Sequence, residues 1–311
     1  MFMIEVYKYG GNILKEESNR KKIYQIFRNK IKKGIKIFMV VSAFGREKDS
    51  FSTDNLAKNL ELLNNRDKDK VMTFGEIYSS LIMKNELLRE GVKVSSADYD
   101  EIGIMCDNNY QDGNILGIDM SYLSELIDKN EVVIVPGFIA ESMEGKIISL
   151  GRNTSDLTAI IIGNYFKVDK VNIIKEVDGV YKKDPGTEKT NKKINNLSYD
   201  EMISIINAGS KMFALKSLEY AKDENVIIEV KRLNEDSGTI ISKEESKEKI
   251  LFVNTKDNTT KIVFKGMDVF NDIFKNIVNE KIKLEELVIN KDILYLKGNS
   301  ELVNSIVSKY L

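Results

Sequence analysis

The chain has 311 residues, 42% hydrophobic and 31% charged, which is enough for one large domain and a small one. Its 47 basic and 48 acidic side chains nearly cancel, so there is no overall basic field to draw nucleic acid or an anionic membrane. Histidine is absent and Cys106 is the one cysteine, which excludes a Ser-His-Asp triad, His-ligated metal sites and an intrachain disulfide. Catalysis must come from Lys, Arg, Asp, Glu, hydroxyls, backbone N–H groups or a metal held by oxygens, and a reducing, cytoplasmic setting is expected. The opening MFMIEVYKYGGN lacks a basic region followed by a long apolar core, and no run approaches about 18 apolar residues. Neither a signal peptide nor a membrane span is expected.

In chain order, short apolar runs alternate with amphipathic stretches. Strands are predicted at Ile4–Tyr9, Ile35–Ala43, Val92–Ala97, Val132–Phe138, Val171–Lys175 and Val226–Val230. Helices are predicted at Ser18–Lys33, Ser52–Asn64, Val71–Glu90, Asp156–Lys167, Ser198–Asn207 and Ser210–Asp223. Strands separated by helices argue for an α/β fold with a mainly parallel sheet covered on both faces. The tail reads differently: strand Thr260–Lys265, helix Asp268–Asn279, strands Glu286–Asn290 and Ile293–Lys297, helix Ser300–Tyr310. This predicts a small α+β unit at 250–311, joined by the charged linker Ser242–Lys249 to a main domain at 1–245. Alone it would bury little core, so it is expected to dock or dimerise.

Chemistry-bearing groups gather at strand ends and helix starts. Lys8-Tyr9-Gly10-Gly11 follows the first strand, where glycines let backbone approach a phosphate and Lys8 could neutralise its charge. Ser42 ends the second strand, the place where open α/β sheets collect ligands. Thr53 and Asp54 open a helical pattern and could face a substrate. Glu76 follows Gly75 and could pair with an ammonium group. Gly151-Arg152-Asn153-Thr154-Ser155-Asp156 leads into a helix, with Arg152 a fork for a carboxylate and Asp156 able to orient a lysine or help hold Mg²⁺. Glu176 to Pro185 follows the fifth strand, and Gly209-Ser210-Lys211 opens another helix. Each has a plainer reading as a turn, a cap or a solvated charge; their order in the chain is the stronger signal.

That order resembles the aspartate kinases of the amino-acid kinase family. Their Lys-Phe-Gly-Gly-Thr-Ser, Val-Val-Ser-Ala-Met-Gly-Arg, Ala-Thr-Asp-Thr-Leu, Gly-Glu, Gly-Arg-Gly-Gly-Ser-Asp, Thr-Asp-Val-Asp-Gly-Val-Tyr-x-x-Asp-Pro and Gly-Ala-Lys-Val motifs have counterparts in sequence. Here they read Lys-Tyr-Gly-Gly-Asn-Ile, Val-Val-Ser-Ala-Phe-Gly-Arg, Ser-Thr-Asp-Asn-Leu, Gly-Glu, Gly-Arg-Asn-Thr-Ser-Asp, Lys-Glu-Val-Asp-Gly-Val-Tyr-Lys-Lys-Asp-Pro and Gly-Ser-Lys-Met. The resemblance implies a three-layer sandwich around an eight-stranded, mainly parallel sheet. It implies that Lys8, Gly10, Gly11 and Lys211 handle the phosphates of ATP, that Asp156 organises the catalytic lysine, and that Glu176, Gly179, Val180, Tyr181 and Asp184 hold the nucleoside. Ser42, Thr53, Glu76, Arg152 and Ser155 would hold the amino acid. The implied reaction is ATP-dependent phosphorylation of aspartate for amino-acid biosynthesis, with Mg²⁺ carried on ATP and no protein metal site. The tail resembles a shortened ACT domain, which implies a homodimer and leaves a lysine or threonine effector open. Departures fall in the loops, at Asn12-Ile13, Asn153-Thr154 and Lys175-Glu176. They leave two other readings, an enzyme for another amino acid and a non-catalytic regulatory paralogue.

Overall fold

The computed structural model describes residues 2–45, 49–183, 192–298, 303, 305, 307 and 308. Arg46, Asp184, Pro185 and most of the last predicted helix lie outside the described residues. The first half runs β1 (Ile4–Tyr9), α1 (Gly11–Lys15), α2 (Glu17–Ile31), β2 (Lys36–Val41), α3 (Thr53–Leu56), α4 (Asn65–Arg89), β3 (Val94–Ser96), β4 (Ile104–Cys106), β5 (Ile115–Ile118), α5 (Ser121–Lys129), β6 (Val132–Pro136), β7 (Ile139–Ser142) and β8 (Ile147–Ser149). The second half runs α6 (Ser155–Tyr165), β9 (Val171–Ile174), β10 (Val180–Tyr181), β11 (Lys193–Ile194), β12 (Asn196–Ser198), α7 (Tyr199–Asn207), α8 (Leu215–Asp223), β13 (Ile228–Lys231) and β14 (Thr239–Ser242). The tail runs β15 (Ile250–Lys256), β16 (Thr259–Phe264), α9 (Met267–Asn279), β17 (Leu284–Asn290) and β18 (Ile293–Gly298).

The central sheet has eight strands in the order β12-β14-β13-β9-β1-β2-β6-β3. All its pairings are parallel except β13 with β14. Successive residues point to opposite faces, and the core divides accordingly. Val6, Phe38, Val40, Val133 and Ile173 join one cluster with residues of α5, α6, α7 and α8. Tyr7, Tyr9, Ile37, Met39 and Ile134 join a second cluster with α1, α2 and the later turns of α4. Both faces are covered, which is why these strands read as continuous apolar runs. A further sheet, β5-β4-β7-β8, lies outside the main one.

Two helix expectations change. The predicted helix Ser52–Asn64 is a short α3 capped by Ser52, and α4 starts at Asn65 rather than Val71. The reason is a second cap: the Asn64 side chain accepts the Asp67 backbone N–H at 2.9 Å and restarts the helix. The predicted helix Ser210–Asp223 begins only at Leu215, because Gly209 sits at φ +118 and the chain turns before winding again. Lys211 therefore lies in a loop.

The tail sheet is antiparallel in the order β15-β16-β18-β17. Strand β15 was not expected from periodicity, because a bulge between Ile250 and Phe252 breaks its alternation. Ile250 and Val253 enter the tail's own core, while Leu251 and Phe252 enter the main one. The predicted linker is also pinned: Glu201 in α7 accepts the Ser246 backbone N–H at 2.9 Å and pairs with Lys265 at 2.7 Å. The tail is thus stitched to the main body rather than tethered. Cys106 is buried, and burial pushes its thiol up to about 12, so the one cysteine is an inert core residue.

Candidate active site

Three neighbouring parallel strands, β9, β1 and β2, deliver their carboxyl ends to one cleft. The register sets Lys8 of β1 opposite Val40 and Ile173, on the face that packs against α6. Asp156 lies in the first turn of α6, where the helix dipole favours a carboxylate. Lys8 meets Asp156 Oδ1 as an ion pair at 2.9 Å. Lys175, immediately after β9, meets Oδ2 at 2.8 Å. Burial alone would raise the Asp156 pKa, but Lys175 and Lys8 together hold it below the ordinary aspartate value. Its stabilising charge is therefore fully present above the usual carboxylate range and is lost only as pH falls through the lowered value.

The cleft has a volume of about 870 Å³. Of the residues predicted from sequence, Lys8, Gly10, Gly11, Ser42, Thr53, Glu76, Arg152, Ser155, Asp156, Glu176 and Lys211 all line it. Gly179, Val180 and Tyr181 do not. Their strand pairs with β11, Val180 is 2% exposed and donates its N–H to Thr239 Oγ1 at 2.8 Å, and the Tyr181 hydroxyl donates to Asp178 at 2.7 Å. Asp184 lies outside the described residues.

The two opening glycines play unlike parts. Gly10 donates its N–H to the Ile174 carbonyl at 3.3 Å, so that donor is spent on the fold. A Cβ on Gly11 would stand 2.1 Å from the Ala43 carbonyl oxygen and 2.9 Å from that of Gly45. Both obstacles are backbone and cannot swing aside. Gly11→Ala is expected to destabilise the fold by about 2 kcal/mol, the scale of an overpacked site, read as a lowered urea midpoint at unchanged slope. A midpoint equal to wild type would show that the loops give way.

Glu76 lies in mid-helix rather than near a helix start. It is 2% exposed, with Oε1 accepting the Ala43 N–H at 3.0 Å and the Thr53 hydroxyl at 3.4 Å. Gly75 permits this approach, since a Cβ there would stand 2.3 Å from the Phe51 carbonyl oxygen. Glu76 Oε2 is buried and has no hydrogen-bond partner among the described residues. Burial pushes the carboxyl up to about 8, against the lowering effect of its hydrogen bonds and of Lys8. Arg152 sits exposed at the cleft mouth, paired with Asp54 of α3. An incoming carboxylate must share or displace that pair. Arg152→Lys is expected to raise KM for a carboxylate substrate about tenfold with kcat little changed, because lysine offers no fork. Initial-rate kinetics check it, and an unchanged KM would remove Arg152 from substrate binding.

The altered loops make contacts of their own. Asn153 replaces a motif glycine at φ +63, a left-handed conformation that asparagine tolerates. Thr154 closes the same turn by donating its hydroxyl to the Gly151 carbonyl at 2.6 Å. Asn12 donates its side-chain amide to Glu176 Oε2 at 2.9 Å across the cleft. Among the charged cleft residues to which sequence reasoning gave no role are Lys15, Asp49 and Lys175, and tertiary structure places Lys175 on Asp156. The one signal for Lys175 was its position at the end of a strand beside the strand that carries Lys8.

A parallel sheet that delivers lysines to an acidic helix start, with a buried carboxylate opposite, defines an α/β sandwich built to receive an anion and a cation together. The chain belongs to the amino acid kinase family, whose profile matches residues 3–231. It is 32% identical over 242 residues to an aspartokinase of Helicobacter pylori, covering 77% of this chain and 59% of that protein. It is 29% identical over 296 residues to the aspartokinase of Geobacillus stearothermophilus, covering 92% and 72%. The chain thus spans about three fifths of the first of these relatives. The fold matches the structure of Escherichia coli aspartokinase III in complex with aspartate and ADP, with TM-score 0.67 and 15% identity over 99% of this chain and 83% of that one. Among the described residues no helix is long and apolar enough to cross a membrane.

Proposed function

We propose that the chain transfers the γ-phosphoryl group of ATP to the side-chain carboxylate of aspartate, giving 4-phosphoaspartate for amino-acid biosynthesis. The observation that carries this reading is Glu76: a buried carboxylate with one unpartnered oxygen, lining the same cleft as the Lys8–Asp156–Lys175 cluster. A buried acceptor of that kind calls for a cationic donor, and the ammonium of an amino acid supplies one. Arg152 at the mouth suits the α-carboxylate, and Ser42, Thr53 and Ser155 add hydroxyls. The lysines would hold the phosphates with Lys211, beside Gly10 and Gly11. Among the described residues, Glu176 is the nucleoside candidate that lines the cleft.

The chemistry needs no general base. A carboxylate oxygen attacks the γ-phosphorus, the bond to the β–γ bridging oxygen breaks, and ADP leaves with the electron pair. Both Asp156 oxygens engage ammonium groups, and among the described residues no group of three or more acidic or cysteine side chains gathers as a metal site. In this reading Mg²⁺ arrives on the ATP phosphates and neutralises their charge there. The protein's part is positioning and electrostatics.

We assign residues 1–245 to the catalytic unit and 250–311 to an ACT-like unit through which two copies pair. The exposed Val288 and Ile289 on the outer strand β17, with Phe274 and Val278 on α9, support that pairing. The test of activity is ATP consumption with Mg²⁺ and a panel of acidic amino acids, with acyl phosphate trapped as hydroxamate. Turnover with aspartate alone carries the proposal. Turnover with another acid only would reassign the substrate, and retained ligand binding with no turnover would favour a regulatory protein.

A further inference from the structure

Lys175 stands where the family motif has threonine, and nothing in that motif calls for a cation there. Its ammonium takes one oxygen of Asp156 at 2.8 Å while Lys8 takes the other at 2.9 Å. It also donates to the Met212 carbonyl and lies 4.6 Å from the centre of the Phe213 ring. Taking the kinase reading above as given, we propose that Lys175 is a second phosphoryl-handling lysine, which contacts the γ-phosphoryl group of bound ATP beside Lys8 and sets the Lys211 loop over it.

Two ammonium groups share one carboxylate in this cluster. Lys8 and Asp156 are almost wholly buried, at 7% and 2% exposure, so water screens their charges poorly. The Lys175 side chain keeps 20% exposure and lines the cleft. A polyphosphate entering there meets both ammonium groups at a preorganised site. Met212 and Phe213 directly follow Lys211, so the Lys175 contacts clamp the loop that carries it. From the sequence, Asp156 was expected to organise one catalytic lysine; in the structure it holds two, and Lys211 is positioned through Lys175.

The experiment compares binding of ADP and of the non-hydrolysable β,γ-imido-ATP to the full chain by calorimetry with Mg²⁺. The proteins are wild type, Lys175→Met, Lys175→Arg and Lys175→Thr. A lysine on the γ-phosphoryl group contributes to imido-ATP and little to ADP. Lys175→Met and Lys175→Thr are expected to lower the ratio of imido-ATP to ADP affinity at least tenfold, with Lys175→Arg restoring part of it. Where turnover is measurable, kcat should fall by a larger factor than KM for ATP rises. A purely structural ion pair would shift the melting temperature and leave the ratio at its wild-type value, and that result overturns the proposal. Wild-type protein that binds neither nucleotide overturns the kinase reading and this inference together. Nucleotide binding with an unchanged ratio overturns only the role of Lys175. Should Lys175→Met fail to fold, Lys175→Arg and Lys175→Thr decide by the same ratio.

Discussion

Lys8→Ala is expected to lower kcat by on the order of 10²- to 10³-fold, the scale of removing one preorganised electrostatic group from a transition state. Lys8 cannot be replaced by movement of its surroundings. It projects from the sheet between β2 and β9, and its position follows from register rather than from a flexible loop. The fold should survive the change, because Asp156 keeps Lys175 as its partner. KM for aspartate should move little. Steady-state rates with ATP and aspartate, alongside a thermal melt, read both quantities. A rate within about threefold of wild type would mean that the phosphoryl group passes elsewhere in the cleft.

Glu76→Gln should separate function from stability. The proposed substrate ammonium needs the ionised carboxylate, and a charge-assisted hydrogen bond contributes about 1.5–3 kcal/mol. Aspartate affinity in the variant should therefore fall roughly 10- to 100-fold. In the wild-type protein the carboxyl is pushed up to about 8, so near neutrality it is largely protonated before substrate arrives. Binding should release a proton, and KM for aspartate should fall as pH rises towards 8.

Stability runs the other way. The carboxyl in the folded protein titrates well above an ordinary glutamate, so between the two values the folded state holds a proton that the unfolded state has lost. Stability falls as pH rises through that window and levels off above about 8. Glutamine carries no such charge, so the variant should lack this slope. Above pH 8 it should be more stable than wild type by a few kcal/mol, since each tenfold difference in proton affinity between the folded and unfolded carboxyl is worth about 1.4 kcal/mol. Urea unfolding at pH 6 and pH 9 with buffer-dependent calorimetry reads both halves. Parallel stability curves for the two proteins would refute the raised pKa and with it the proton release.

Much of the scaffold was legible because its elements are dictated locally. Short apolar runs such as Val132 to Val135 between helical patterns fit strands buried on both faces, and the glycine-rich strand ends mark where the chain turns into a cleft. The short elements were not legible. Strands β10 and β11 have two residues each, and β15 carries a bulge that hides its alternation. Helix α8 begins later than its periodicity suggests because a turn at Gly209 comes first.

By itself the sequence determined the class of fold, the order of the motifs and about half of the groups that line the cleft. Lys8, Glu76, Arg152 and Asp156 are each tied to a strand end, a helix or a glycine turn that local chemistry specifies. Only the tertiary structure decided what those groups meet. Lys8 and Lys175 lie on β1 and just beyond β9, strands far apart in the chain, and are brought to one carboxylate by sheet order. Glu76 became a buried, half-satisfied acid because α4 packs against the loop after β2. Val180 and Tyr181 fall outside the cleft lining, in a two-residue strand that pairs with β11. Local propensity fixes which way a residue faces along its own element, whereas a partner's identity depends on how distant elements are paired, and that pairing is settled by burial across the whole core.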